Sequence, residues 1–377
     1  MMDSKQRIRS AISFYSKIVY GPLLKFFKRR NRSGLLSEQL LVGACKAAEE
    51  GTPVYASCML RARKPGKSLT SPIHSSGVRL AVILQGPLDL NDHFTLNTIR
   101  YYRNALNIEH VILSTWSNED AAELEKIRDC GGIVVLSEYP SCPGIGHANY
   151  QLASMQAGIA KALELGADFI CKTRTDQRIY NEYAFDLMRN LLVQFPPFSQ
   201  CRLKYRLLAL GDHFDCMFFP YYIGDFLYFG HRDDMRYFLS VGLDTRSVRP
   251  PFTCYQERCR DMTNAEIYLM KNFIKASGGQ YEDSILSYWN FVKESLVLLD
   301  KGIVGLYWHK YDDRYCEHRR NASLLVNGVC RGTDVFSFSS WLSLYNGQLK
   351  YDPDYEKLLQ INFREMENRQ SPEGDGR

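Results

Sequence analysis

Residues 79–87, Arg-Leu-Ala-Val-Ile-Leu-Gln-Gly-Pro, decide the fold that we predict for this chain. The apolar run that ends at Leu84 has the length and composition of a β-strand that is buried on both faces. Gln85-Gly86-Pro87 then ends the strand with a turn, because glycine and proline interrupt regular structure. We therefore place a central, buried strand at the start of a folded body.

The same pattern repeats downstream. Apolar strands are predicted at 110–114, 133–136 and 168–172, and helices at 92–105, 118–130 and 149–165, the second of them capped by Asn118. Short apolar strands that alternate with helices build a parallel sheet with helices on both faces. We predict an α/β fold with a mixed, mostly parallel sheet flanked by helices.

Polar side chains follow the predicted strands at the point where each strand ends. The residues at these strand ends include Gln85 and Gly86 after the first strand, Thr115 and Trp116 after the second, and Lys172-Thr-Arg-Thr-Asp176 after the fourth. Ligands of such sheets bind beyond the carboxyl ends of the strands. A glycine turn, hydroxyls, an aromatic ring, two cations and a carboxylate at one edge suit a nucleotide.

Two common nucleotide-binding signatures are missing from the sequence. GxGxxG does not follow the first strand, and GxxxxGK[ST] occurs nowhere in the chain. Dehydrogenases that bind dinucleotides and P-loop NTPases are therefore disfavoured.

Five motifs occur in a fixed order, and they are Ile83-Leu-Gln-Gly-Pro87, Leu113-Ser-Thr-Trp116, Asn149-Tyr-Gln151, Lys172-Thr-Arg-Thr-Asp-Gln-Arg178 and Asp225-Phe-Leu-Tyr-Phe-Gly230. Through them the chain resembles the WavE lipopolysaccharide synthesis family over roughly residues 78–310. The resemblance implies a GT-A-like nucleotide-diphospho-sugar transferase fold. It also implies a glycosyltransferase that moves a sugar from a nucleotide-diphosphate donor to a glycan or glycolipid acceptor in lipopolysaccharide or surface polysaccharide synthesis.

The resemblance also suggests roles for single residues. The residues that it implies for binding of the nucleotide sugar are Gln85, Gly86, Pro87, Ser114, Thr115, Trp116, Asn149, Gln151, Lys172 and Arg174. GT-A enzymes hold a divalent cation, Mn²⁺ or Mg²⁺, with Asp-x-Asp after a core strand, and here only Asp176 of that pair is present. His309 is the second candidate metal ligand, because many GT-A enzymes place a late histidine on the metal.

Glu266 and Asp225 are the candidate catalytic bases. Glu266 stands at the start of a predicted helix, where inverting GT-A enzymes carry their base, and Asp225 precedes a predicted strand at 226–229. Such a base must reach the acceptor hydroxyl directly or through one water. Asp283 is a weaker third candidate.

Several of these residues also have structural interpretations. Trp116 could cap the core instead of stacking on a base, and Arg174 could form an ion pair with Asp176. Asp176 could cap a helix at 181–193, and Asn149 could cap its own helix. Asp225 could close a turn, Glu266 could face its helix dipole, and His309 could lie on the surface.

Charge is distributed unevenly along the chain. Residues 1–76 carry 14 Lys or Arg against 4 Asp or Glu, which is +10, and the remainder carries 33 against 38, which is −5. We expect residues 1–32 to form a basic amphipathic helical arm that binds an anionic membrane surface, with docking on protein as the alternative. Since no RNA- or DNA-binding motif occurs, we expect no nucleic-acid partner.

The predicted domains are a basic arm and linker at 1–77, a catalytic domain at 78–310, and an extension at 311–377 whose end we expect to be disordered. No run of about 20 apolar residues predicts a transmembrane helix. The 11 cysteines are irregularly spaced without a CxxC pair, which favours a reducing compartment. We therefore expect a cytoplasmic protein that the arm holds at the inner face of a membrane.

Two other functions remain open on the sequence. A sugar nucleotidyltransferase of the same fold would need a glycine-rich first loop with a lysine, and Gln85-Gly86-Pro87-Leu88 supplies neither. The incomplete Asp-x-Asp leaves a non-catalytic protein that binds nucleotide sugars as the other alternative.

Overall fold

The computed structural model describes residues 39, 41–47, 61–63, 77–198, 201–211, 217–310 and 335–361. The chain divides into two compact units, residues 1–63 and 64–377. Residues 41–47 of the first unit are helical. The predicted arm at 1–32 and the predicted disordered end of the chain lie outside the described residues.

The second unit is built on nine described strands, and these are β1 Leu80–Gln85, β2 His110–Trp116, β3 Ile133–Ser137, β4 Phe169–Arg174, β5 Gln177–Ile179, β6 Leu207–Leu210, β7 Tyr228–His231, β8 Leu296–Leu299 and β9 Leu306–Trp308. Seven of them form one sheet in the order β3-β2-β1-β4-β7-β6-β8. Strands β1 to β4 pair in parallel, as do β6 and β8, whereas β7 is antiparallel to both of its neighbours. The predicted mixed, mostly parallel sheet is confirmed.

Helices cover this sheet, and the described ones are α1 Phe94–Asn104, α2 Ala121–Asp129, α3 Ala148–Glu164, α4 Ala184–Gln194, α5 Arg232–Met235, α6 Tyr255–Arg260, α7 Ala265–Ala276, α8 Ile285–Ser295 and α9 Phe338–Tyr345. Short 3-10 turns stand at Asn91–His93, Ile145–His147, Arg236–Ser240 and Pro353–Gln360. Each of the first three predicted helices is present, with ends shifted by one to three residues.

Three predicted helix caps are wrong. Asp120 caps α2 instead of Asn118, because its carboxylate accepts the backbone N–H of Glu123 at 2.7 Å. Asn149 lies inside the first turn of α3, after its N-cap residue His147. Asp176 caps no helix, since α4 begins eight residues later at Ala184.

The hydrophobic core lies on both faces of the sheet. Residues 81–84 of β1 and 111–113 of β2 are fully buried, as expected for central parallel strands. Residues 335–361 belong to the same core, where Phe336, Trp341 and Leu359 are fully buried. The packing of this C-terminal segment therefore continues that of the sheet.

No helix among the described residues is long and apolar enough to cross a membrane. The described cysteines from Cys130 onward are free thiols, and they are Cys130, Cys142, Cys171, Cys201, Cys254 and Cys259.

Candidate active site

The turns after β1 and β4 are joined at the carboxyl edge of the sheet. Thr175 donates its backbone N–H to Gln85 O at 3.1 Å and its hydroxyl to Pro87 O at 2.6 Å. Gly86 has φ +114°, and a Cβ there would lie 3.3 Å from the Thr175 hydroxyl. Glycine is therefore required at this turn, both for its backbone angle and for the close approach of the two loops.

Four charged residues at this edge form what we call the charge cluster: Lys172, Arg174, Asp176 and Asp225. Arg174 donates Nε to Asp176 Oδ1 at 3.1 Å and Nη1 to Asp225 Oδ2 at 3.2 Å. The buried Lys172 ammonium lies 3.4 Å from the same Asp225 oxygen and also donates to the Asp225 carbonyl. The predicted ion pair between Arg174 and Asp176 is therefore present, and Asp225 ties both cations together.

Burial and neighbouring opposite charges shift the pKa values of the charge cluster in opposite directions. Burial alone would raise the pKa of Asp225, but Lys172 and Arg174 outweigh it and hold that pKa below its ordinary value. Burial lowers the pKa of Lys172 despite the carboxylate beside it. The Arg174 pKa is raised, because the two carboxylates outweigh its burial. Asp225 is thus an ionised anchor of the cluster.

Arg174 is the cation of the cluster that reaches the surface. Its side chain is partly exposed, and its guanidinium lies 5.2 Å from the ring centre of Trp308. Of the five N–H donors of a guanidinium, the two carboxylates engage one on Nε and one on Nη1. The remaining donors could bind a phosphate group, whereas Lys172 is fully buried.

Glu266 stands in the first turn of α7, after the N-cap residue Asn264. Burial raises its pKa to about 7, with a further contribution from the charge of Asp225. No described side chain forms an ion pair with it, although Arg174 and Arg258 act on it electrostatically. Glu266 therefore has the acidity of a general base that works near neutral pH.

The two predicted metal ligands meet through their backbones. His309 donates its backbone N–H to Asp176 O at 2.9 Å, because β5 and β9 pair beside them. The His309 ring stacks on Phe94 with 4.5 Å between ring centres, and its Nδ1 lies 2.7 Å from Asp89 Oδ2. Since a carboxylate only accepts hydrogen bonds, Nδ1 is the donor in this contact, and Nε2 is the ring nitrogen that Asp89 does not engage.

The described residues contain no group of three side chains placed to hold a metal ion. They do offer the Asp176 carboxylate, of which Arg174 engages Oδ1, and a histidine that Asp89 orients. A histidine whose other nitrogen donates to a carboxylate is the usual arrangement at metal sites. Magnesium commonly takes only one or two protein ligands beside the phosphates of a substrate. A divalent cation held by one or two of these side chains would take its remaining ligands from a bound phosphate or from water.

Residues 85–87 and 114–116 lie at the ends of β1 and β2, and residues 149–151 lie in the first turn of α3. We call these three stretches together the strand-end loops, and internal hydrogen bonds occupy most of their polar groups. Ser114 is fully buried and donates to Ser154 O at 2.6 Å, toward α3. Thr115 donates to Glu119 Oε1 at 2.9 Å, and the same oxygen accepts the Leu88 N–H at 3.1 Å. The Ser114 and Thr115 hydroxyls therefore stabilise the loops themselves.

The side-chain amide of Asn149 is also occupied by hydrogen bonds within the protein. Its side chain donates to Cys142 O at 2.9 Å and to Asp244 O at 2.8 Å, and it accepts the Asp244 N–H at 2.7 Å. By contrast, the buried Oε1 atoms of Gln85 and Gln151 have no partner among the described residues. A buried acceptor without a donor is costly, so these two amides are suited to accept a hydrogen bond from a water or a ligand.

Trp116 is 2% exposed, which favours its structural interpretation over direct stacking on a base. One face of its indole is covered by Tyr139, with 4.2 Å between ring centres and an angle of 19°. Tyr139 itself is 45% exposed and follows β3 at the same edge of the sheet. The ring available to a planar ligand is therefore that of Tyr139.

Three residues of this edge were not predicted: Asp89, Glu119 and Tyr139. Asp89 and Glu119 lie close in sequence to two of the motifs, but their contacts cross from one loop to another. Tyr139 lies in a loop after a strand, where the rule that ligands bind beyond strand ends could have found it.

Several solved structures are similar to this chain at low identity. A cytidylyltransferase from Leptospira borgpetersenii serovar Hardjo-bovis is 12% identical with a TM-score of 0.32, over 73% of this chain and 100% of that one. HddC from Yersinia pseudotuberculosis is 12% identical with a TM-score of 0.27, over 45% and 83%.

A third structure, described as a mannose-1-phosphate geranyltransferase from Thermus thermophilus, is 13% identical with a TM-score of 0.25. The match spans 36% of this chain and 41% of that one. At such TM-scores these likenesses carry no conclusion about activity. The fold therefore rests on the strand order given above.

No curated protein matches the sequence. The profile of the WavE lipopolysaccharide synthesis family matches residues 80–370, which include the whole sheet and the C-terminal segment beyond residue 310. With more than three quarters of its length matched, the chain belongs to the WavE lipopolysaccharide synthesis family.

Proposed function

We propose that this protein is a glycosyltransferase of lipopolysaccharide or surface polysaccharide synthesis, which moves a sugar from a nucleotide-diphosphate donor to a glycan or glycolipid acceptor. The observation that carries the proposal is that Glu266, a partly buried carboxylate with a pKa of about 7, interacts electrostatically with Asp225 and Arg174 of the charge cluster at the carboxyl edge of the sheet. Glu266 offers a base for the acceptor, and Arg174 offers a cation for the leaving group.

The donor lies across the strand-end loops in this proposal. Its diphosphate binds Arg174, whose guanidinium can contact two phosphate oxygens at once. Its base stacks on Tyr139, and a ring N–H or a ribose hydroxyl satisfies the orphan acceptor of Gln85 or Gln151. Gly86 lets the turns after β1 and β4 pack closely together at this edge.

Asp176 and His309 would hold a divalent cation together with the donor diphosphate, with Asp89 orienting His309. Such a cation would supply positive charge against the diphosphate. Arg174 contributes positive charge from the protein side, because it stays protonated at all working pH values.

Glu266 acts as the base of the reaction. Its carboxylate takes the proton from the acceptor hydroxyl, whose oxygen then forms a bond to the anomeric carbon of the donor. The bond from that carbon to the diphosphate oxygen breaks, and its electron pair leaves with the nucleoside diphosphate. Asp225 is a positioning residue, since its carboxylate is buried and engaged by both cations.

A panel of UDP, GDP and dTDP sugars tests the proposal. We expect one donor to raise the unfolding temperature, since it binds only the native state, and to release nucleotide slowly in water. Absence of both effects across the panel would contradict the proposal. Release of pyrophosphate from a nucleoside triphosphate and a sugar 1-phosphate would instead identify a nucleotidyltransferase.

The metal site is tested separately by calorimetric titration with UDP and GDP, with and without Mn²⁺. We expect Mn²⁺ to increase the affinity for the nucleotide in the native protein and to lose that effect in Asp176→Asn. Asp354→Asn, at an exposed aspartate of the C-terminal segment, is the matched control. An unchanged Mn²⁺ effect in Asp176→Asn would show that the carboxylate binds no metal.

A further inference from the structure

The segment 236–251, which follows α5, exposes an unusual amount of apolar surface. Eleven large hydrophobic side chains are exposed in the described residues, and three of them, Leu239, Leu243 and Val248, fall within ten positions of this segment. Val248 is the most exposed of the eleven at 77%. Isolated exposed aliphatic residues are ordinary, whereas three within ten positions make this segment a candidate interaction surface.

The charges of this segment are all of one sign at the surface. Its only acidic residue is Asp244, which is buried and pairs with Arg246 at 2.8 Å. Arg236 and Arg249 are exposed. The segment therefore presents aliphatic side chains beside two arginines with no exposed carboxylate of its own.

Contacts with the body hold the segment in place. The Asp244 carboxylate accepts the Ile145 N–H at 3.2 Å, and Arg246 donates to Met262 O at 3.2 Å. The Tyr268 hydroxyl donates to Gly242 O at 2.9 Å. Since Met262 and Tyr268 flank Glu266 in sequence, the exposed surface lies beside the helix start that carries the proposed base.

We propose that segment 236–251 docks this protein on an anionic lipid surface. Leu243 and Val248 enter the headgroup region, where apolar side chains leave water, and Arg236 and Arg249 bind lipid phosphates. We choose an anionic lipid surface as the partner because its negative charge complements the two exposed arginines. The proposal depends neither on the sugar that is transferred nor on the basic arm at 1–32, and it places a membrane-borne acceptor next to Glu266.

Tryptophan introduced at the tip gives a local test in the full-length chain. Val248→Trp should show quenched and blue-shifted fluorescence with vesicles of brominated phosphatidylglycerol and phosphatidylcholine. Val193→Trp is the matched control, because Val193 is 60% exposed on α4. Quenching in Val248→Trp that does not exceed that of Val193→Trp would overturn the proposal, even if the arm binds vesicles by itself.

Vesicle partitioning supplies the second measurement. Arg249→Glu should lower the partition coefficient on anionic vesicles by at least about fivefold, from about 1 kcal/mol per basic residue near the surface. Leu243→Asp should lower it as well, whereas Val193→Asp should not. Equal partitioning of Arg249→Glu, Leu243→Asp and Val193→Asp would overturn the proposal. Binding of the native protein to pure phosphatidylcholine as strong as its binding to anionic vesicles would overturn it too. Nucleotide binding measured on the same variants should stay unchanged, which separates this test from that of the proposed function.

Discussion

The charge cluster and the strand-end loops lie at the same edge of the sheet and differ in how their polar groups are used. Around the cluster, Glu266 has no ion-pair partner among the described residues, and Arg174 keeps spare donors. In the loops, Ser114, Thr115 and Asn149 are fully engaged with their own neighbours. A polar residue at the edge of a sheet is therefore only a candidate for ligand binding. It can bind a ligand when some of its hydrogen-bond donors or acceptors are not already used within the protein.

Glu266→Gln should have the largest effect on activity. Removing the base should lower kcat by about 10²–10⁴-fold, the usual contribution of general base catalysis, while donor binding changes little. Steady-state transfer with the donor from the panel measures this. Glu125→Gln, at an exposed glutamate of α2, is the control and should keep full activity. A Glu266→Gln enzyme with normal kcat would assign the base elsewhere.

Asp225→Asn should have the largest effect on stability. The change leaves the buried Lys172 without its counter-ion, and breaking a buried pair in this way costs about 3–5 kcal/mol. Urea unfolding at pH 7 measures the loss. Asp233→Asn is the control, because its ion pair with Lys204 is exposed and should contribute at most about 1 kcal/mol.

The loss of stability in Asp225→Asn should depend on pH. The pKa of Asp225 is lower in the folded protein than its ordinary 3.8, so its contribution to stability is complete above that value. It is lost as the pH falls through the folded-state pKa. The difference in unfolding free energy between native protein and Asp225→Asn should therefore shrink only in strong acid, and a constant difference would contradict the ion-pair account.

Tyr139→Ala tests the aromatic ring that covers Trp116 of the strand-end loops. If the base stacks on Tyr139, the variant should lose about 1–3 kcal/mol of nucleotide affinity, as other base-stacking aromatic residues do. Tyr183→Ala is the matched control, since Tyr183 is similarly exposed and precedes α4. Calorimetric titration with the best nucleotide decides between them, and equal affinities would exclude stacking on Tyr139.

Ser114→Ala should have the smallest effect on binding. Its hydroxyl bonds to α3, so we expect nucleotide affinity to stay within about twofold while stability falls by about 1 kcal/mol. Thermal unfolding and calorimetry on one preparation measure both. A large loss of affinity with unchanged stability would show that the loop rearranges when the donor binds.

The first half of the fold was predictable from sequence because its signals are local. Strands β1 to β4 each contain a continuous apolar run, and a helix lies between each strand and the next. Strand β7 lies between β4 and β6 because of contacts far apart in the chain, which no local pattern reveals. The sequence therefore predicted the parallel strands β1 to β4 individually. For the part of the sheet that contains the antiparallel strand β7, it predicted only that the sheet is mixed.

The sequence predicted the residue types and positions of the candidate site. It did not predict which side chains are exposed or how their pKa values shift. Trp116 and Tyr139 are both aromatic residues near strand ends, and only the structure shows which covers the other. Asp225 and Glu266 were equivalent as candidate bases. Their pKa values move in opposite directions because one faces two cations at hydrogen-bond distance and the other is buried without an ion pair among the described residues.

The pH dependence of kcat/KM tests the central assignment most directly. A base must be deprotonated to act, so activity of the native protein should fall as the pH drops below about 7, the pKa of Glu266. We predict that Asp225→Asn shifts this fall to lower pH, because Asp225 raises the Glu266 pKa, and that Glu266→Gln abolishes it. An acid limb that persists unchanged in the residual activity of Glu266→Gln would contradict the account.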